Sequence, residues 1–363
     1  MTQQRDAHQH AGRPGSGRLI SMRALEAGGE PAGQAPGVIA EPGQLGAGGD
    51  GGRTGSPGRA APAWRTLLVA LLCLAAASGW LVAEARRGHA QQAPAVVVTR
   101  AASGAAGPSF GRRLTFLVIG SDAGSRRFDR PGPADRGRAD SIHLVVIDPR
   151  TRKGTVIGFP RDSYVPIPGR GRNKINAAMV FGGPPLLART IEQLGAPKID
   201  YIVLTSFDGL IEMVNDVGKV RVNVPRAVVD EVAGANLRAG VQELSGSQAL
   251  ALSRARKSLP GGDFTRSEHQ GLVLLGGLGT FQTQMRGNPA ELMRWLATAR
   301  EHVEADLPVG ELLRLALLAR TVPPRNLKDV VLPGRAGEGG GASVVILDPE
   351  ARRILARAKA GRF

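Results

Sequence analysis

The segment from Arg254 to Gln270, R-A-R-K-S-L-P-G-G-D-F-T-R-S-E-H-Q, concentrates the residue types in this chain that can do chemistry. Arg254 and Arg256 stand two apart; a Pro-Gly-Gly turn, Asp263, Arg266 and Gln270 follow. Guanidinium groups bond phosphate oxygens in bidentate fashion and keep their charge at any physiological pH. Several aimed at one point suit a di- or tri-anionic ligand such as a pyrophosphate. An isolated R-x-R is usually a solvated basic loop. The bend and the aspartate argue for a built site, because a solvated charge run has no use for them.

Such residues need a frame. L-T-F-L-V-I-G from Leu114, S-I-H-L-V-V-I-D from Ser141, G-T-V-I-G-F from Gly154 and I-D-Y-I-V-L-T from Ile199 read as buried strands. Helical patterns over 184–194, 207–217, 245–256 and 270–281 separate or follow them, 291–299 and 309–320 read as surface helices, and 344–347 as a late edge strand. Alternating strands and helices predict one layered α/β domain. Asp122 follows the first strand and Asp140 precedes the second, so both carboxylates meet at one sheet edge, where a hard cation could be held. A turn or cap aspartate is the rival reading for each. Asp129 and Asp135, in the loop between them, compete with Asp122.

The 363 residues carry a net charge of +16, with 50 Gly and 25 Pro. Most of the excess lies beyond residue 65 and forms no detachable basic tail. It is compatible with nucleic acid, an anionic membrane or a phosphorylated substrate. Without helix-turn-helix spacing, zinc ligands or a basic region, no nucleic-acid partner is expected. The single cysteine, Cys73, permits no intramolecular disulfide.

Residues 1–65, rich in Gly and Pro, have no apolar period and read as a disordered tail. Residues 66–83, T-L-L-V-A-L-L-C-L-A-A-A-S-G-W-L-V-A, are uncharged and just long enough to span a bilayer, with Trp64 and Trp80 at belt positions. A buried core helix and a signal peptide cleaved at Ala83-Glu84-Ala85 are the rivals. A retained signal anchor is favoured, because the preceding stretch is too long for a signal peptide's first region. Residues 84–110 read as a polar stalk and 111–363 as the catalytic domain. Arginines on both sides of the span favour a cytoplasmic N-terminus only slightly.

I-G-S-D (119–122), R-A-D-S-I (138–142), P-R-D-S-Y-V-P-I-P-G (160–169), N-K-I-N-A-A (173–178), F-G-G-P (181–184), the 254–270 segment and the closing L-P-G…G-A-S-V-V-I-L-D occur in the order of one family. From about Leu114 onward the chain resembles the LytR-CpsA-Psr cell-wall glycopolymer ligases. The resemblance implies a single-pass protein of the cell membrane with its catalytic domain outside. It implies transfer of a glycopolymer from a polyprenyl-pyrophosphate carrier to a peptidoglycan hydroxyl as a phosphodiester, with Mg²⁺ or Mn²⁺. The resemblance also implies a three-layer α/β/α fold around a central mixed sheet, with an apolar slot for the lipid tail. Arg161, Arg254, Arg256 and Arg266 would neutralise the pyrophosphate, Asp263 would orient an arginine or act as base, and Asp122 and Asp140 would hold the metal. Arg138, Lys174, Asn176 and Gln270 would bind substrate, capping being the alternative for Asn176 and plain exposure for Gln270. His143 and His269 read as non-catalytic. Gly158-Phe159, where the family favours Ser-Ile, and Thr205-Ser206, where an acid commonly precedes the Phe, depart from the pattern. A hydrolase releasing lipid phosphate or pyrophosphate at the same site, and a non-enzymatic transcriptional regulator, are the competing functions.

Overall fold

The computed structural model describes residues 96–101, 111–122, 137–256, 259–287, 295 and 303–363. The expected tail, the 66–83 span, Asp129, Asp135 and, Trp295 apart, the 291–299 helix lie outside them. Among the described residues no helix is long and apolar enough to cross a membrane.

The centre is a seven-stranded mixed sheet. Its strands are β1 (Val96–Arg100), β2 (Leu114–Ser121), β3 (Ala139–Asp148), β4 (Lys153–Gly158), β7 (Tyr201–Ser206), β12 (Val303–Ala305) and β13 (Leu327–Val331), in the order β12-β1-β7-β2-β3-β4-β13. β2 runs parallel to β7 and antiparallel to β3, and β4 is antiparallel to β3 and parallel to β13. Side chains alternate across the pleat, so each strand feeds both faces. Leu117, Ile119, Ile142, Leu144 and Ile157 pack on one face beneath α1 (Ala177–Gln193) and α6 (Pro349–Ala360). Leu114, Val145, Ile147, Val156 and Tyr201 pack on the other, beneath α4 (Asp263–Gly287) and α5 (Val309–Thr321). The expected mixed sheet with helices on both sides is what forms.

Three strands of the central sheet, β1, β12 and β13, escaped the sequence reading. Val96–Arg100 belongs to the supposed stalk but is inserted between β12 and β7, its three valines supplying the β-branched side chains a sheet favours. β13, not 342–347, is the outer strand beside β4. Ala342–Leu347 (β15) pairs instead with Gly334–Gly339 (β14) in a separate ribbon. The remaining two-stranded ribbons are β5 (Tyr164–Ile167) with β6 (Gly171–Lys174), β8 (Val220–Val224) with β11 (Gly240–Leu244), and β9 (Val228–Asp230) with β10 (Ala235–Leu237). β8 to β11 share a second core with α2 (Phe207–Asp216) and α3 (Gly246–Arg254).

Local signals set the helix starts. Ser245 and Gln248 form a reciprocal capping box ahead of α3. Within α1, Gly183 takes φ +67° and lets the chain kink before Pro184 restarts the helix. Helix α4 crosses so close to β13 that a Cβ on Gly271 would stand 2.3 Å from Asp329 Oδ2.

Burial, reinforced by Glu268, pushes the Asp329 carboxyl up to about 6. The unfolded chain ionises this group near the ordinary value of about 3.9. Its contribution to stability is therefore complete below about pH 4 and is lost as pH rises through 6. Asp329→Asn is expected to remove that slope and to stabilise the fold at pH 7.5 by about 2 kcal/mol. Urea denaturation of both proteins at pH 4.5 and 7.5 checks this; equal slopes would refute it.

Candidate active site

The site lies at the edge where β2, β4 and β7 end and β3 begins. Asp140 is the second residue of β3, and the Pro-Arg-Asp after β4 brings Arg161 opposite it. Arg161 Nη1 donates to Asp140 Oδ1 at 2.6 Å. Burial works against the half-buried guanidinium, but Asp140, helped by Asp162 and Asp263, holds it above its ordinary value. Its buried Nε has no hydrogen-bond partner. The Asn-Lys-Ile-Asn run supports this turn from behind: Asn176 N–H donates to the Arg161 carbonyl (3.2 Å) and Ile175 N–H to that of Ser163 (2.8 Å).

The 254–270 segment closes the site from the other side. Arg254, the last residue of α3, lies over the Phe207 ring at 5.5 Å. The Arg256 backbone N–H donates to Asp230 Oδ2 at 2.7 Å. At the start of α4, Asp263 Oδ1 faces Arg266 Nη2 at 3.1 Å and Arg256 Nη1 at 3.4 Å, so this carboxylate orients two arginines. Gln270 Nε2 donates to the carbonyls of Asp140 and Ser253, both at 3.1 Å, joining β3, α3 and α4.

Arg161, Arg254, Arg256, Arg266, Asp140 and Gln270 line a cavity of about 280 Å³ whose wall also includes Val118, Leu210, Val273 and Leu274. Burial holds the Arg266 guanidinium below its ordinary value; Asp263 opposes this, and the nearby Arg161 and Arg256 add to it. An anion entering the cavity meets converging cations, of which Arg161 and Arg266 are already largely desolvated by folding, and it would relieve their repulsion.

Other expected site residues fall elsewhere. Arg138 is exposed and outside the cavity lining; its backbone N–H, not its guanidinium, donates to Asp122 Oδ1 at 2.5 Å. Lys174 pairs with Asp162 at 3.5 Å, also outside the lining. Asn176 stands at the N-cap of α1 without a side-chain cap bond and is buried. It supports the Arg161 turn through its backbone, so side-chain capping is corrected and the cavity gains no contact from it. Asp230, which lines the cavity and holds Arg256, was missed. Its V-V-D-E-V-A-G turn carries no signal beyond an aspartate at a strand end.

Asp140 places one carboxylate in the cavity, whereas Asp122, exposed at the end of the neighbouring strand, is not in the lining. Among the described residues no three His, Cys, Asp or Glu gather as a metal cage. Magnesium is commonly held by one or two carboxylates together with substrate phosphates. Asp140 fits that limited donor role.

His143 and Gly158 are partners across β3 and β4. Buried His143 is pushed down to about 4, mainly by desolvation, and is neutral at physiological pH. Nε2 donates to the Ser267 carbonyl at 3.1 Å, which leaves Nδ1 to accept from Ser141 Oγ at 3.2 Å. Gly158 makes the room: a Cβ there would meet Ser267 Oγ at 2.4 Å and His143 Nε2 at 3.2 Å. The histidine thus ties the strand carrying Asp140 to the helix carrying Arg266, and the glycine accommodates it. Gly158→Val is expected to cost about 3 kcal/mol through overpacking and to lower Tm by about 10 °C. Thermal denaturation followed by circular dichroism checks it; an unchanged Tm would mean that the helix can move aside.

This α/β domain combines four arginines, a carboxylate and an adjoining apolar wall at one sheet edge, a lining with the chemistry to suit amphiphilic anions. The chain belongs to the LytR_cpsA_psr family, whose model matches residues 87–359. It is 32% identical over 206 residues to the polyisoprenyl-teichoic acid–peptidoglycan teichoic acid transferase TagU of Enterococcus faecalis (56% of this chain, 65% of the relative). It is 37% identical over 153 residues to the probable cell wall biosynthesis protein LcpB of Corynebacterium glutamicum (40% and 37%). The chain therefore matches less than two thirds of the length of either relative. Among solved structures it resembles Bacillus subtilis TagV (TM-score 0.58, 24% identity, 69% of this chain and 97% of that one). It also resembles the family protein YwtF (TagT) with bound octaprenyl pyrophosphate lipid (TM-score 0.53, 19% identity, 72% and 95%). At these identities the structures establish the shared fold.

Proposed function

We propose that this protein is a phosphotransferase that moves a glycopolymer from a polyprenyl-pyrophosphate carrier onto peptidoglycan. The observation that carries this reading is the cavity, where four guanidinium groups adjoin Val118, Leu210, Val273 and Leu274. That combination suits a diphosphate esterified to an apolar chain. The name of the E. faecalis relative supports a teichoic-acid-like polymer and a peptidoglycan acceptor.

In the reaction, an acceptor hydroxyl oxygen bonds to the phosphorus that bears the glycan. The bond from that phosphorus to the bridging oxygen breaks, the lipid leaves as its monophosphate, and the hydroxyl proton is released. Arg161, Arg254, Arg256 and Arg266 bind the diphosphate and offset charge on the transferring group and on the leaving phosphate. Asp263 keeps Arg256 and Arg266 aimed, and Gln270 fixes α4 against the strand of Asp140. A magnesium ion, when bound, would neutralise phosphate charge; Asp140 would hold it together with the substrate phosphates. Residues 66–83 would anchor the chain in the cell membrane, with residues 1–65 cytoplasmic and the catalytic domain outside.

The test is to incubate the full chain with polyprenyl-pyrophosphate-linked glycan, Mg²⁺ and peptidoglycan fragments and to identify products by mass spectrometry. A glycan joined to the fragment through phosphate, together with lipid monophosphate, is expected. Release of lipid phosphate with no joined product would identify a hydrolase, and an intact carrier would refute both. An alkaline phosphatase fusion at the C-terminus tests the topology: inactivity in cells would contradict the external placement.

A further inference from the structure

Helix α5 is apolar on both sides. Leu315 and Leu318 face inward, packing in the core beneath the sheet. Val309, Leu313 and Leu317, spaced four apart on one stripe, are 54, 58 and 50% exposed. They make up half of the exposed large hydrophobic residues among the described ones. A helix that presents large apolar side chains to solvent as well as to the core marks an interaction surface. The charged residues of α5 indicate what covers the stripe. Glu311 is turned inward: Arg100 donates to it, and Tyr201 Oη–H donates to its Oε1 at 2.7 Å. The two remaining charges, Arg314 and Arg320, are both positive and exposed.

We infer that the Val309–Leu313–Leu317 stripe of α5 docks on an anionic lipid bilayer, with Arg314 and Arg320 meeting the headgroups. This rests on the reading that residues 66–83 anchor the chain. The tether makes the contact possible. Only residues 84–95 separate that segment from β1, a reach of at most about 40 Å. β1 pairs directly with β12, the strand just ahead of α5, and Arg100 at the end of β1 holds Glu311. The chain enters at Val96 and Arg100 lies about 13 Å further along β1, so the start of α5 is separate from the entry point but within the tether's reach. Apolar residues with arginines on a helix held at a membrane enter the headgroup boundary, and anionic lipid strengthens the attachment.

The same contact would orient the cavity. From Gln270 the lining runs along α4 to Val273 and Leu274. Further on, Gln282 Nε2 donates to the carbonyls of Ala319 and Val322 at the end of α5. The charged part of the site thus lies about 18 Å along α4 from the end that α5 would hold at the membrane. The apolar wall lies between them, the order in which a lipid-linked diphosphate drawn from a bilayer would need them.

The experiment uses the full chain with Cys73→Ala and a single new cysteine, Leu313→Cys or Leu317→Cys, labelled with an environment-sensitive fluorophore. Val241→Cys, an exposed apolar position on β11, is the comparison. Each protein is reconstituted in phosphatidylcholine vesicles with or without phosphatidylglycerol, and quenching by shallow doxyl lipids is measured. Carbonate-resistant sedimentation with the vesicles reads the anchor separately. The expected result is blue-shifted emission and about twofold doxyl quenching at 313 and 317, stronger with phosphatidylglycerol and absent at 241. Positions 313 and 317 left unquenched, or quenched no more than 241, would overturn the docking whether or not the chain is anchored. A blue shift that persists in detergent and is lost on dilution would also overturn it, by assigning the stripe to a second copy. Quenching at 313 without carbonate-resistant sedimentation would uphold the docking and reject the anchor.

Discussion

An Arg256→Ala variant is expected to transfer glycopolymer about a thousandfold more slowly while unfolding at nearly the wild-type temperature. The Arg256 side chain is 44% exposed, and its ion pair with Asp263 is long, at 3.4 Å. Exposed pairs contribute about 1 kcal/mol or less to folding. The stronger contact, from its backbone N–H to Asp230, survives the substitution. What disappears is one of four cations converging on the phosphate. Initial-rate assays of glycan transfer alongside thermal melts decide the matter. A fall in Tm of more than a few degrees would make Arg256 a structural ion pair, and an unchanged rate would remove it from the site.

Arg266→Met is expected to be equally damaging to transfer, with a different signature in stability. Arg266 is 8% exposed in its side chain, beside two other guanidinium groups. Burial opposes its charge, with Arg161 and Arg256 adding to the cost and Asp263 offsetting part of it. Replacing a whole buried ion pair by apolar side chains is often neutral, but removing one partner leaves the other charge buried and less well compensated. The variant should therefore lose about three orders of magnitude in rate and about 1 to 2 kcal/mol of resistance to urea. Asp263 retains Arg256 as a partner, which limits the cost of the change. A loss of several kcal/mol would show that the Asp263–Arg266 pair supports the fold rather than the reaction.

Comparison of the two arginines marks how far residue order reaches. Both occur in one seventeen-residue segment, and guanidinium chemistry alone points each of them to phosphate. Only packing separates them, because burial depends on what lies across the chain: the β9–β10 turn with Asp230 beside Arg256, and the sheet edge beneath Arg266. The same limit explains Arg138, Lys174 and Asn176. Each stands in a motif next to a cavity residue, but strand alternation and the Arg161 turn send the side chain elsewhere or use only the backbone.

The order of residues by itself determined the strand–helix alternation, the central strands with long apolar runs, and the phosphate-seeking character of Arg161, Arg254, Arg256 and Arg266. Such properties reside in a residue or in a short periodic run. Tertiary structure alone decided that Val96–Arg100 and Leu327–Val331 complete the sheet, since short strands are stabilised by neighbours distant in sequence. It also decided that Gly158 makes room for His143, and that Gln270 links the strand of Asp140 to two helices. Those facts belong to pairs of segments more than ten residues apart in the chain. They come into being only when burial of apolar surface brings the segments into contact.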